Sequence, residues 1–156
     1  MTDAADRSNA IIRPPIAWAL AFVAGLALDR LYPLRFVPAS VPAALVGGVV
    51  FAAGFALGIW AIVTIRNAGS QVETTKPTTA IVTGGPYRFT RNPIYIGMFL
   101  GQTGIGIGFD SLWLLAMLAP FYLVIRYGVV AREEAYLERK FGAVYLDYKS
   151  RVRRWL

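Results

Sequence analysis

Two short stretches hold nearly all the side chains of this chain whose types and spacing suit chemistry. The first is residues 79–97, Thr-Ala-Ile-Val-Thr-Gly-Gly-Pro-Tyr-Arg-Phe-Thr-Arg-Asn-Pro-Ile-Tyr-Ile-Gly. Gly84-Gly85-Pro86 signals a turn. Asn92-Pro93 suits a helix start, with Asn as cap and Pro at the first helical position. Free backbone N–H groups at such a start, aided by the helix dipole, hold an anionic group such as a carboxylate. Tyr87 and Tyr95 offer aromatic faces able to cover a flat ring or a cation. The second stretch is residues 126–148, with Arg126 and the pair Glu133-Glu134. Arg126 and Glu133 are seven apart, so a continuous helix sets them on one face. Each stretch also has a plainer reading. The first suits an interfacial connector with its tyrosines at the headgroup belt, and the second a snorkelling arginine beside a solvated acidic pair.

The residues that are missing narrow the chemistry. The 156-residue chain has no histidine and no cysteine. Imidazole bases, histidine or thiolate metal sites, Ser-His triads, cysteine nucleophiles and a disulfide framework are excluded. Any reaction must run on carboxylates, tyrosines, Arg or Lys, backbone groups or a bound cofactor, and no metal is expected.

The elements that must position these residues are membrane spans. Hydrophobic residues make up 56%, charged residues 16%, and mean hydropathy is +0.51. That is too little polar surface for a water-soluble globule. Apolar stretches cover residues 14–28, 41–65, 94–109 and 112–130. A helix needs roughly 20 apolar residues to cross the hydrocarbon core. The second and fourth therefore suffice alone, while the first and third are short. The first also resembles a signal-peptide core, but Asp29-Arg30 follows it where a small-residue cleavage site belongs. Asp110-Ser111 leaves almost no loop between the last two spans, so a tight hairpin is expected. Glycines at 97, 101, 104 and 108, and at 54 and 58, give spacings that let helices pack closely. Beyond the last span, Leu137, Phe141, Val144, Tyr145 and Tyr148 share one helical face, an amphipathic helix on the membrane surface or the bundle.

Charge sets the expected orientation. With four spans both termini share a side. That side, with the 66–91 connection, holds fourteen of the sixteen Lys and Arg residues. The positive-inside rule makes it cytoplasmic. The net charge of +7 is then read as topology and anionic-lipid contact rather than nucleic-acid binding. The expected fold class is all-α, an integral-membrane bundle of about four transmembrane helices with a cytoplasmic amphipathic C-terminal helix. It forms a single domain over residues 1–156, with two spans in 1–65 and the connector, hairpin and C-terminal helix in 66–156. A bacterial inner membrane is the expected location, and the sequence does not set an oligomeric state.

The two chemistry-bearing stretches together resemble the membrane-embedded methyltransferases that include isoprenylcysteine carboxyl methyltransferase and the phospholipid N-methyltransferases. Val82-Thr-Gly-Gly-Pro-Tyr-Arg-Phe-Thr-Arg-Asn-Pro-Ile-Tyr-Ile-Gly97 is similar to that family's G-x-Y-x-x-x-R-H-P-x-Y-x-G. Arg132-Glu-Glu-x-x-Leu-x-x-x-Phe-Gly-x-x-Tyr-x-x-Tyr148 carries the second half. The likeness covers roughly residues 60–156. It implies S-adenosylmethionine as methyl donor, at a cytoplasmic site. It further implies that Thr79, Ala80, Ile81 and Val82 line the cofactor pocket through their backbone and that Tyr87 packs on the cofactor. Asn92, Pro93, Ile94 and Tyr95 take the family's His-Pro-x-Tyr positions, Glu133 meets the ammonium, and Glu134 supports Glu133. Two positions depart. Asn92 replaces a histidine and cannot titrate, and Val129 stands where isoprenylcysteine enzymes place an arginine toward the substrate carboxylate. Arg126, about a turn earlier, is the candidate substitute.

The donor of such a reaction is already activated, so the protein mainly aligns the reactants and excludes water. An anionic nucleophile needs no base. An amine must give its proton to Glu133, Glu134, a tyrosine or water. The expected function is methyl transfer to a hydrophobic or lipid-like acceptor that arrives between helices from the membrane, in the manner of the isoprenylcysteine enzymes. The alternatives are phospholipid headgroup N-methylation, a small four-helix transporter, and a scaffold without catalysis.

Overall fold

The computed structural model describes residues 8–71 and 78–156. Arg7 and Lys76, counted in the charge distribution above, lie outside the described residues. Those described form helices and turns, with no strand among them. Helix α1 spans Pro14–Leu31 and α2 spans Ala43–Asn67. A single 3₁₀ turn, Gly85–Arg88, precedes α3, Pro93–Gly108. Then come α4 (Leu112–Ala116), α5 (Leu118–Leu123), a π-helical segment (Val124–Val130), α6 (Ala131–Phe141) and α7 (Ala143–Arg151).

Among the described residues three helical rods are long and apolar enough to cross a membrane: Pro14–Leu31, Ala43–Asn67 and Leu112–Phe141. The last joins α4, α5, the π segment and α6. Its irregularity has an identifiable start. Pro120 has no N–H to give one turn back, and the α4–α5 break falls within that turn, at Met117. The third expected span, α3, has 16 residues, roughly 24 Å at 1.5 Å per residue, short of a hydrocarbon core about 30 Å thick.

Close packing on α2 holds α3 in place. The two run antiparallel with their glycines facing. A Cβ on Gly54 would lie 2.7 Å from both Gly97 O and Gly101 N, and one on Gly104 would lie 2.6 Å from Gly47 O. Only hydrogen fits at that separation, the small-residue approach expected where lipid offers no hydrophobic drive between helices. Leu45, Val49, Phe55 and Trp60 of α2 are exposed in consequence, as lipid-facing side chains should be.

The turn between α3 and α4 is as tight as expected, and it grips the α1–α2 connection. Asp110, at φ +51°, accepts from the backbone N–H groups of Phe36 (2.8 Å) and Val37 (2.7 Å). Those bonds, Phe36 first, hold its carboxyl below the ordinary aspartate value. Ser111 caps α4 by accepting from Leu114 N–H. At the other end, the stretch before α1 crosses the π segment, where Ile11 N–H donates to Gly128 O at 3.0 Å. Between these ends Ala17, Tyr95, Phe121, Ile125, Val129 and Val130 form the buried core.

Three local expectations need correction. Asn92 occupies the N-cap position of α3, but its side chain makes no cap bond. Its Nδ2 instead donates to Arg154 O at 2.9 Å, because the C-terminal tail runs alongside. The single amphipathic C-terminal helix is two helices broken at Gly142, whose φ of +50° suits glycine. The break separates the expected apolar face: Tyr145 and Tyr148 are buried while Val144 is exposed. Finally, Arg126 and Glu133 do not share a face of a regular α-helix. Arg126 itself lies in the π segment Val124–Val130, whose wider i→i+5 winding shifts the phase before Glu133 is reached.

Candidate active site

The two chemistry-bearing stretches meet around one cleft. It encloses about 940 Å³ of space, open mouth included, between the 78–82 segment, the start of α3, α6 and α7. Of the residues expected to bind the cofactor, Ala80, Ile81, Val82, Tyr87, Asn92, Pro93, Ile94, Tyr95, Glu133 and Glu134 all line it. Thr79 does not: it is exposed, and its Oγ1 donates to Gly69 O at 2.9 Å. Arg126 does not line it either and bonds to Tyr122 Oη at 2.6 Å.

Glu133 is the side chain around which the cleft is built. Its carboxylate is surrounded by protein yet keeps a face on the cleft. Tyr95 Oη donates to both carboxylate oxygens, at 2.9 and 3.1 Å. Among the described residues no cation pairs with Glu133, although its neighbour Glu134 has two. An enclosed carboxylate that keeps its charge needs a cation or several donors. The cleft is where one can arrive.

Tyr87 faces the same space. Pro86 and the 3₁₀ turn carry it there, and Gly85 permits the turn with φ +54°. Its backbone oxygen accepts from Tyr148 Oη at 2.8 Å. Burial first, then Tyr148 and the Glu133 charge, push its phenol above the ordinary value. The ring therefore stays neutral and apolar at physiological pH. Ile81 and Val82, which also line the cleft, belong to no helix or strand, and among the described residues no hydrogen bond to their amides or carbonyls is formed. Ser70 Oγ, donating to Ala80 O at 3.4 Å, tethers this strap. At the start of α3 the unused Asn92 cap leaves the Ile94 and Tyr95 N–H groups unbonded beside the cleft.

The back wall was not foreseen in the sequence. Glu134 is buried and forms ion pairs with Arg91 (2.7 Å) and Arg154 (2.6 Å). Arg91 Nη1 also donates to the carbonyls of Lys149 (3.0 Å) and Val152 (2.7 Å). Thr90 Oγ1 and Asn92 Nδ2 both donate to Arg154 O, at 3.1 and 2.9 Å. The tail is thus stitched to the segment that starts α3. Its basic run read only as a charged terminus. The usable signal was Arg91 beside Asn92-Pro93, which needs an anion once α3 is buried.

A family model for phospholipid methyltransferases matches residues 42–144, more than half of the chain. The chain belongs to the phospholipid methyltransferase family. The matched region runs from α2 into α7 and so includes the 78–82 strap, the 3₁₀ turn, α3 and Glu133. Among curated proteins, a 77-residue stretch is 34% identical to the nickel-cobalt-cadmium resistance protein NccN of Alcaligenes xylosoxydans xylosoxydans, covering 49% of this chain and 36% of that one. A 72-residue stretch is 32% identical to the cobalt-zinc-cadmium resistance protein CzcN of Cupriavidus metallidurans, covering 46% and 33%. A 50-residue stretch is 50% identical to an uncharacterized protein of Haemophilus influenzae, covering 32% and 76%. The chain thus matches about a third of the length of the two resistance proteins. No solved structure matches it.

Proposed function

We propose that this protein is an integral-membrane methyltransferase that takes its methyl group from S-adenosylmethionine and places it on a lipid-like acceptor. The observation that carries the reading is Glu133: an enclosed carboxylate, oriented by Tyr95 and lacking a cation partner among the described residues, opens on a cleft walled by an aromatic ring and free backbone. The bound cofactor would supply an activated methyl group on a sulfonium. Glu133 would hold its ammonium, and the Ile94 and Tyr95 N–H groups its carboxylate. The neutral Tyr87 ring and the Ile81-Val82 strap give walls for a nucleoside. Glu134, tied to Arg91 and Arg154, is a positioning residue that keeps the tail closed behind the site.

The chemistry asked of the side chains is modest. They orient, exclude water and leave the methyl in line with a nucleophile. A phosphate or carboxylate oxygen needs no base. An amine would pass its proton to Glu133 or water. The orientation from the charge distribution puts this cleft on the cytoplasmic side, where a soluble cofactor enters while the acceptor comes from the membrane. Two relatives are named for metal resistance. Among the described residues no three acidic side chains lie close enough together to hold a metal ion, so the reading does not route through a metal.

The test is a thermal-shift titration of detergent-purified protein. S-adenosylmethionine and its demethylated product should both raise the melting temperature, and Glu133→Ala should abolish the shift. Labelled S-adenosylmethionine incubated with a membrane extract then identifies the acceptor. No shift with either compound would remove the methyltransferase reading.

A further inference from the structure

Residues 8–13 run ahead of α1 as an arm laid along the Leu112–Phe141 rod. Arg13, ahead of Pro14, is extended at φ −70° and ψ 128°, as a residue before proline prefers, so α1 does not continue back into the arm. Hydrogen bonds tie the arm to the rod in order. Ile11 N–H donates to Gly128 O at 3.0 Å, and Arg132 Nη1 donates to Asn9 O at 3.2 Å. Ala10 and Ile12 pack on the core that holds Tyr95, the side chain bonded to Glu133. Gly128 leaves room for the arm: a Cβ there would have Ile11 Cδ1, Cβ and Cγ1 as its nearest neighbours, at 3.6, 3.8 and 3.9 Å. Arm and rod run in opposite directions, so the chain reaches the level of Glu133 at Ser8. Asn9 has φ +49°, a left-handed conformation that asparagine tolerates. Ser8 beyond it is buried and lines the cleft with Val130 and Glu133.

An arm stitched to the rod and present in the wall of the cleft does more than lead into α1. We propose that residues 8–11 enclose the Glu133 end of the cleft and strengthen binding of the amino-acid end of the cofactor by keeping water from it. The physical reason is dielectric. The attraction between a carboxylate and an ammonium weakens as water gains access, and an enclosing wall preserves it. The nucleoside end gains little, since the walls offered to it, Tyr87 and the Ile81-Val82 strap, come from the connector ahead of α3. The arm also lies ahead of residues 42–144, the region matched to the family, so its role belongs to a part of the chain that the family model does not cover. Ser8, Asn9 and Ile11 are positioning residues, and none is asked to touch a reacting atom. The inference rests on the methyltransferase reading for the identity of the ligand.

The test compares S-adenosylhomocysteine with methylthioadenosine, which has no amino-acid end, by calorimetric titration of the full chain in neutral detergent. The arm is displaced from each side in turn. Ile11→Pro removes the N–H that bonds Gly128 O and leaves the rod unchanged. Gly128→Leu drives a side chain into Ile11. Each should weaken S-adenosylhomocysteine about tenfold, the low end for a hydrogen bond between charged groups, and methylthioadenosine by less than about twofold. A merely structural arm would lower the melting temperature and move both ligands together. A crosslink keeps the test decisive if those variants do not fold. Ile11→Cys with Gly128→Cys sets two Cβ atoms 3.8 Å apart, within disulfide range, in a chain that has no cysteine of its own. It should close under mild oxidation, and the oxidised protein should bind S-adenosylhomocysteine at least as tightly as the native chain. Failure to crosslink, or a crosslinked protein that no longer binds, overturns the proposal. So does an equal loss of both ligands, or no loss, in either folded variant. A native chain that binds neither ligand strikes the cofactor cleft and the arm's role with it. A native chain that binds S-adenosylhomocysteine, with variants that bind it as well, strikes the arm alone.

Discussion

Replacing Glu133 by Gln removes one charge from the cleft while keeping the side-chain shape and an oxygen for Tyr95 Oη to donate to. Two consequences of opposite sign follow. In the ligand-free protein the carboxylate is enclosed and lacks an ion-pair partner among the described residues. Neutralising it should raise stability by about 1–3 kcal/mol, the protein-scale cost of burying an uncompensated polar group. In the complex the same change removes the charged partner of an ammonium. A hydrogen bond between charged groups contributes about 1.5–3 kcal/mol, so binding should weaken roughly 10- to 150-fold. S-adenosylhomocysteine and methylthioadenosine separate this from general damage, because the second shares the nucleoside and sulfur but has no amino-acid end. Calorimetric titration should show a large loss for the first and little for the second, while the melting temperature of the free protein rises. Equal losses for both ligands, or a less stable variant, would refute the assignment of Glu133 to the ammonium.

Three further outcomes test the supporting structure. Glu134→Gln leaves Arg91 and the half-exposed Arg154 without their shared carboxylate. It should cost about 3 kcal/mol, the low end for breaking a buried pair, and limited proteolysis should then release the C-terminal tail. Gly54→Val places a Cβ 2.7 Å from α3 backbone and should disrupt the α2–α3 seam, whereas Gly48→Ala meets nothing within 4 Å and should be neutral or stabilising by up to about 1 kcal/mol. Thermal unfolding of the two variants in one detergent reads the contrast. Burial pushes Tyr148 up to about 12 from an ordinary 10.0. The folded state holds this proton more tightly than the unfolded chain, so its contribution is complete below pH 10 and fades as pH rises toward 12. Alkaline unfolding followed by phenolate absorbance should lose that component in Tyr148→Phe.

What the sequence made legible were features with local causes. The spans followed from apolar length, the α3 start from Pro93, the α3–α4 turn from Asp110-Ser111, and the glycine seam from its spacing. Ala80, Ile81, Val82, Tyr87, Tyr95 and Glu133 were placed together by the resemblance of two separated motifs, not by periodicity, and they share the cleft. What stayed hidden depends on segments far apart in the chain. Asn92 forgoes its cap because Arg154 O is 2.9 Å away, and a local reading cannot know that the tail returns there. The apolar face of residues 137–148 assumed uniform helix. One glycine at φ +50° was enough to turn Val144 outward while Tyr145 and Tyr148 stay in.

Arg126 shows the same physics at the level of function. Seven-residue spacing equates positions only while each turn has 3.6 residues. Val124–Val130 winds more widely, so the phase that would have carried Arg126 to the cleft is spent before Glu133 is reached. The consequence is a division of charge. The carboxylate faces the cleft, bonded to Tyr95, while the guanidinium turns to the Tyr122 and Tyr127 rings. Had the helix stayed regular, the two would share one face, roughly 10 Å apart along it, and the guanidinium would lie toward the cleft side of the rod. The irregular turn thus sets the two charged groups of one rod among different partners, Glu133 with Tyr95 and Arg126 with Tyr122.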